Sequence, residues 1–188
     1  ESGGQDRNVQ PKIKSTEFSV FWTDDRSSYI QLSSNFIALV IYAPYPGWDV
    51  VREKIKKMIS SYNRIHQISQ VERIGLRYLD RLPLPEGIDV ISDYFRFRPE
   101  IGEGFEESPI SFQIECDFPF YDDRDICRIN LKPEKIDSEE NENNIILKID
   151  YFLSPDGTIF PDELIEWLDH SHEKIHRVFD SCISPKMD

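Results

Sequence analysis

Two apolar stripes at helical spacing, each set behind a run of strand-patterned segments, constrain this chain more than any other feature. Trp48, Val51, Ile55, Met58, Tyr62 and Ile65 recur at three- and four-residue steps, the pattern of an amphipathic helix. Leu164, Leu168, His172, Ile175, Phe179 and Cys182 repeat it near the C-terminus. There Pro161 opens the first turn, and Asp162 and Glu163 complement the positive end of the helix dipole. Five segments carry β-branched and aromatic residues in strand-like runs: "EFSVFW" (17–22), "YIQLSSNFIALVIYA" (29–43), "SFQIECDF" (111–118), "DICRINL" (125–131) and "NNIILKIDYFL" (143–153). The second is read as one strand stopped by "PYPGW" (44–48), and the third points Phe112, Ile114, Cys116 and Phe118 inward. "GIDVISDYF" (87–95) reads as a short helix, 98–109 as loop and "DSEENENN" (137–144) as a solvated hairpin loop. Strands come in runs without βαβ alternation or internal repeat. The expected fold is therefore α+β: an antiparallel β-sheet with two long amphipathic helices packed on one face.

A chain of 188 residues suits a single domain, assigned to 17–184 behind a loose segment 1–16. The first residue is not Met, and an N-terminal element of the full-length protein is expected to precede it. Hydrophobic residues at 39% supply the material for a core. A formal net charge of −13 argues against general nucleic-acid binding and against anionic membranes, both of which need a positive field. The longest apolar run, "FIALVIYA" (36–43), falls well short of the ~20 residues of a membrane span. Cys116, Cys127 and Cys182 are odd in number, widely spaced and without a C-x-x-C, so reduced thiols and a cytoplasmic setting are expected.

Against this acidity, "VERIGLRYLDRL" (71–82) sets Arg73, Arg77 and Arg81 four residues apart. Gly75, the β-friendly Ile74 and Tyr78, and the Pro83/Pro85 stop favour a strand over a helix. On a strand Ile74, Leu76, Tyr78 and Leu82 share the core face and the arginines share the other. Same-face positions four apart lie roughly 13 Å from each other, too far for the three guanidiniums to clamp one phosphate. Pairing with Glu115, Asp117 and Asp150 on neighbouring strands is the simpler reading, but guanidiniums also serve carboxylate and phosphate recognition. The three arginines are accordingly the candidate ligand-binding residues for a small anionic ligand or nucleotide.

"DHSHEKIH" (169–176) places His172 and His176 at i and i+4, the spacing by which a helix offers two imidazoles to one metal. The apolar stripe runs through His172, so a core-facing histidine bonded to a carbonyl or carboxylate is the preferred reading. "DFPFYDDRD" (117–125) clusters four aspartates but lacks the glycine of a calcium loop, and reads as an acidic hairpin tip. No G-x-S-x-G, P-loop, G-x-G-x-x-G or kinase signature is present, and no cofactor is expected.

Three segments, "YPGWDVVREKI" (45–55), "RIGLRYLDRL" (73–82) and "WLDHSHEKIHRVFDSCIS" (167–184), resemble a family of sporadically distributed, uncharacterised prokaryotic proteins. The family shows a Tyr-Pro-Gly-Trp entry to a helix, a Gly-Leu-Arg-Tyr strand and an Ala-His-Glu-like step in a C-terminal helix. Ser171 stands here in place of that Ala. The resemblance spans about residues 17–184. It implies a prokaryotic cytosolic domain, places Arg77 and His172 in the recurring pattern, and brings no activity to carry over. Its sporadic distribution fits a defence or mobile-element setting.

The functional expectation is a non-enzymatic acidic module that binds or regulates a protein partner. Two alternatives stand beside it: a sensor of a small anion through Arg73, Arg77 and Arg81, and a metal-dependent enzyme using His172 and His176.

Overall fold

The computed structural model describes residues 18–84, 91–100, 111–134 and 144–187. The segment 1–16, residues 87–90 of the short-helix expectation, most of the 98–109 loop and nearly all of the 137–144 loop lie outside them. The described strands are antiparallel throughout and accompany helices, so the α+β reading holds. They form two sheets rather than one, and the two long helices are divided between two compact units, residues 1–67 and 68–188.

In the first unit β1 (Ser19–Trp22), β2 (Ser28–Ser33) and β3 (Phe36–Ile41) pair in the order β1-β2-β3. The single strand expected over 29–43 is thus a hairpin: Ser33 faces Phe36 across the two-residue turn Ser34–Asn35. Apolar side chains on both sides of the turn hid it, and only its polar Ser-Ser-Asn marks it in sequence. The β1–β2 turn is held by Thr23 N–H donating to the Ser28 carbonyl at 2.9 Å. There Asp25 accepts the Ser27 N–H at 3.0 Å and its hydroxyl at 2.8 Å.

A cis Ala43–Pro44 bond and Gly47, at φ 92, lead into α1 (Trp48–His66). That φ is one that glycine adopts without a Cβ penalty. Asp49 in the first turn and Arg64 and His66 in the last complement the dipole. Val51 and Ile55 of the expected stripe are buried, whereas Ile65 at its end is 76% exposed. Lys54 Nζ donates to Ser28 Oγ at 3.4 Å and the Tyr62 hydroxyl to the Ser33 carbonyl at 3.1 Å, which ties the helix to β2.

In the second unit β4 (Gly75–Pro83), β5 (Ile114–Phe120), β6 (Asp125–Pro133) and β7 (Asn144–Leu153) pair in the order β4-β7-β6-β5. α3 (Leu164–Cys182) follows a 3-10 turn at Pro161–Glu163 and packs over β7 and β4. Alternation puts Cys127, Ile129 and Leu131 with Ile145, Leu147, Ile149, Tyr151 and Leu153 on the face beneath it. Trp167, Leu168 and Ile175 meet them from the helix, each buried apolar side chain contributing roughly 1.5–3 kcal/mol. Phe118 points to this face as expected but remains 42% exposed, because it sits on the β5 edge while the helix lies over β7 and β4. The short helix α2 (Ile91–Tyr94) leads into the fully buried Phe95, which bridges to Ile183 just beyond α3.

Candidate functional site

Alternation along β4 sends Arg77 and Arg81 to the face away from α3, while Arg73 stands exposed ahead of the strand. Register then builds one row across all four strands of that face: Arg77 opposite Asp150, Asp150 opposite Arg128, Arg128 opposite Asp117. Arg77 Nε donates to Asp150 Oδ2 at 2.9 Å, with a second, shorter contact from its NH2 nitrogen. Arg128 grips Asp117 through two bonds of 2.7 Å. This hydrogen bonding lowers the Asp117 pKa and raises that of Arg128. Arg81 Nε donates to Glu134 Oε2 at 2.6 Å and lowers that carboxyl in the same way. Two of the three arginines are therefore held by acids, while Arg73 has no partner among the described residues.

Beneath α3 the core face of β4 carries a polar cluster. His172 Nδ1 lies 3.0 Å from the Tyr78 hydroxyl, and its ring meets His176 edge-on with centroids 4.5 Å apart. The Tyr78 phenol is thus one partner of His172. Burial first, and then the neighbouring His176, depress the His172 pKa below 6.5 against the opposing pull of Asp169 and Glu173. Asp80 shares the face, and burial raises its pKa while the charge of His176 partly offsets the shift. His172 and His176 come together as the i, i+4 spacing implies, but among the described residues no set of three His, Cys, Asp or Glu side chains is arranged to hold a metal ion. Asp80 escaped notice in the sequence, although the gap it leaves in the Leu76, Tyr78, Leu82 alternation was the available signal.

Asp125, at the start of β6, is 1% exposed and its carboxylate is fully used. Oδ1 accepts Trp167 Nε1 at 3.1 Å and Arg124 Nε at 3.2 Å, and Oδ2 accepts the Tyr151 hydroxyl at 3.1 Å and an Arg124 nitrogen at 2.7 Å. Four donors for one carboxylate mark a structural anchor that ties the β5–β6 hairpin to β7 and α3. Cys127 and Cys182 are buried thiols whose pKa values burial pushes up to about 12 and about 11. That keeps them protonated and unreactive.

The feature missed in sequence lies in the first unit. The three-stranded sheet has apolar residues on both faces, and the bond from Lys54 to Ser28 sets α1 against the face that Ser28 shares with Ile30 and Leu32. The opposite face turns Phe18, Val20 and Trp22 outward beside Tyr29, Phe36 and Tyr42. Phe18 and Phe36 meet edge-on at 5.3 Å, Trp22 packs on Tyr29 at 4.6 Å, and Trp22 and Tyr42 lie parallel at 6.1 Å. Five of these side chains are 42–50% exposed. The signal was present in "EFSVFW" and "FIALVIY", strands apolar on both faces with one helix to cover them.

Charge divides the same way. Residues 1–67 carry nine lysines and arginines against seven acids, net +2, whereas residues 68–188 carry 13 against 28, net −15. The described residues thus offer an acidic unit in which Arg77, Arg81, Arg124 and Arg128 are bound to carboxylates, and a near-neutral unit with an aromatic face. No helix of the described residues is long and apolar enough to cross a membrane. Comparison with known proteins finds no matching family model, no matching curated protein and no matching solved structure.

Proposed function

We propose that the chain is a non-enzymatic interaction module that binds or regulates a basic protein through the acidic surface of residues 68–188. The observation that carries this reading is the partition of charge, +2 against −15. A field of one sign on one unit steers an oppositely charged protein and speeds its encounter, an effect that falls steeply with salt. The pairing of Arg77 with Asp150, Arg81 with Glu134 and Arg128 with Asp117 supports it further. It consumes guanidiniums that would otherwise bind an anion and leaves a large excess of acid unmatched. The sequence carries no catalytic signature, and the module reading requires none.

The test is affinity capture on the intact chain, native mass measurement of what is retained, and association kinetics across a salt series. The expected partner is basic, with an association rate that drops as salt rises while dissociation changes little. A partner bound with no salt dependence, or a chain that retains no protein under any condition, would overturn the proposal.

A further inference from the structure

The three-stranded sheet has two apolar faces and one helix. We infer that its open face is where two copies of the chain meet, sheet against sheet. The side chains that face outward there are uncharged: Phe18, Val20, Trp22, Tyr29, Phe36 and Tyr42, with Gln31 and Ser33 as the polar members at the strand centre and end. A charged partner finds no counter-ion on such a surface. An identical aromatic sheet needs none. Among the described residues Arg26 at the rim lies over Trp22, its guanidinium carbon 5.4 Å from the ring centroid.

Area points to the same occupant. An aromatic side chain offers roughly 150–250 Å². The side chains that are 42–50% exposed therefore leave about 400 Å² of apolar surface on this face. A standard interface buries about 800 Å² per partner, a little over half of it apolar, so the face supplies most of the apolar area that one side of a stable dimer requires. Its relief also suits a copy of itself. Register sets the rings of Phe18 and Phe36 in one row and those of Trp22 and Tyr29 in another, with Tyr42 parallel to Trp22, on either side of the ring-free row Val20, Gln31 and Ala38. Ridges of one copy can enter the trough of the other when two such sheets stack at about 10 Å. Electrostatics permits the contact, because it joins units of net +2, whereas association through the remainder of the chain would oppose −15 to −15.

This inference is independent of the basic partner proposed above, and salt separates the two: self-association through apolar rings holds or tightens as salt rises, while capture of a basic protein weakens. Sedimentation velocity on the intact chain should show mass rising from monomer to dimer with concentration, and acrylamide should quench the Trp22 fluorescence less as it does so. Val20→Lys places a charge in the trough and should weaken dimerisation at least about thirtyfold, the loss expected at a central interface position. Val20→Thr, a smaller polar change that keeps β-branching, covers the case in which the lysine variant does not fold, and should weaken it measurably. Lys57→Glu on the exposed side of α1 should leave the dimer unchanged. A chain that stays monomeric at every concentration overturns the inference. So does a dimer indifferent to both Val20 substitutions, or open-ended aggregation in place of a closed pair.

Discussion

Single side chains in the second unit carry interactions that one substitution can test. Asp125 is the simplest case: its four donors come from Trp167, Tyr151 and Arg124, two of them buried. Asp125→Asn keeps the volume but turns two acceptors into one and sets an NH2 against donors, so a loss of about 2–3 kcal/mol is expected in urea unfolding. Asp80 is tested through pH. Burial raises its pKa, so its contribution is fully present only when it is protonated and is lost as pH rises through the raised value. Asp80→Asn should therefore stabilise the protein near pH 7, and the gain should shrink in acid, as paired denaturation curves would register. His172 has the opposite dependence to Asp80. Its depressed pKa means that stability is intact above 6.5 and declines as pH falls through the lower, folded value. NMR titration should place the His172 midpoint below 6.5, and His172→Phe should flatten that part of the pH–stability profile. Sequence gave His172 away by its place in a helical stripe, but neither Tyr78 nor Asp80 could be matched to it, because strand and helix lie about 90 residues apart.

At the scale of elements, alternation in β4, β6 and β7 and the periodicity of both long helices were legible because each depends on neighbours in the chain. What was not legible depends on partners far away. Nothing local says that β4 pairs with β7 rather than β3, or that the strands divide into two sheets. The hairpin within 29–43 was missed because the runs on both sides of Ser33–Asn35 are rich in apolar residues and read as one strand. Gly157 shows how tightly two elements can meet: a Cβ there would come within 2.7 Å of the Arg124 carbonyl oxygen and 2.8 Å of Leu153. Gly157→Ala should destabilise by about 1–3 kcal/mol, since backbone and a core side chain must both give way. Thermal unfolding reads this directly, with a substitution at Gly47, around which a Cβ meets nothing, expected to act through φ alone.

Over the whole molecule, composition reported the charge but concealed its address. A net charge of −13 describes neither unit, one being +2 and the other −15. A chain that dimerises through the first and recruits through the second would present two acidic surfaces to one partner assembly. A second binding event then becomes intramolecular, and avidity exceeds the single-site affinity by a factor fixed by reach rather than by new contacts. Val20→Lys should in that case lower apparent affinity for a multivalent basic target while leaving affinity for a monovalent one unchanged, a comparison that surface plasmon resonance at two ligand densities makes.

The row Arg77, Asp150, Arg128, Asp117 obeys a parity rule. Each interior member faces an opposite charge on either side, so reversing one interior sign creates two repulsions, and reversing two adjacent signs still leaves like-charged seams, two for the central pair and one for a pair at the end of the row. Reversing all four restores the alternation. The sites are therefore epistatic along the strand order β4-β7-β6-β5, although Arg77 and Asp150 are 73 positions apart in the chain. The interior reversals Asp150→Arg and Arg128→Asp should be tolerated worst, and the Asp150→Arg defect should be relieved in part when Arg77→Asp is added and in full only when Arg128→Asp and Asp117→Arg are added together, as urea unfolding of the series would read.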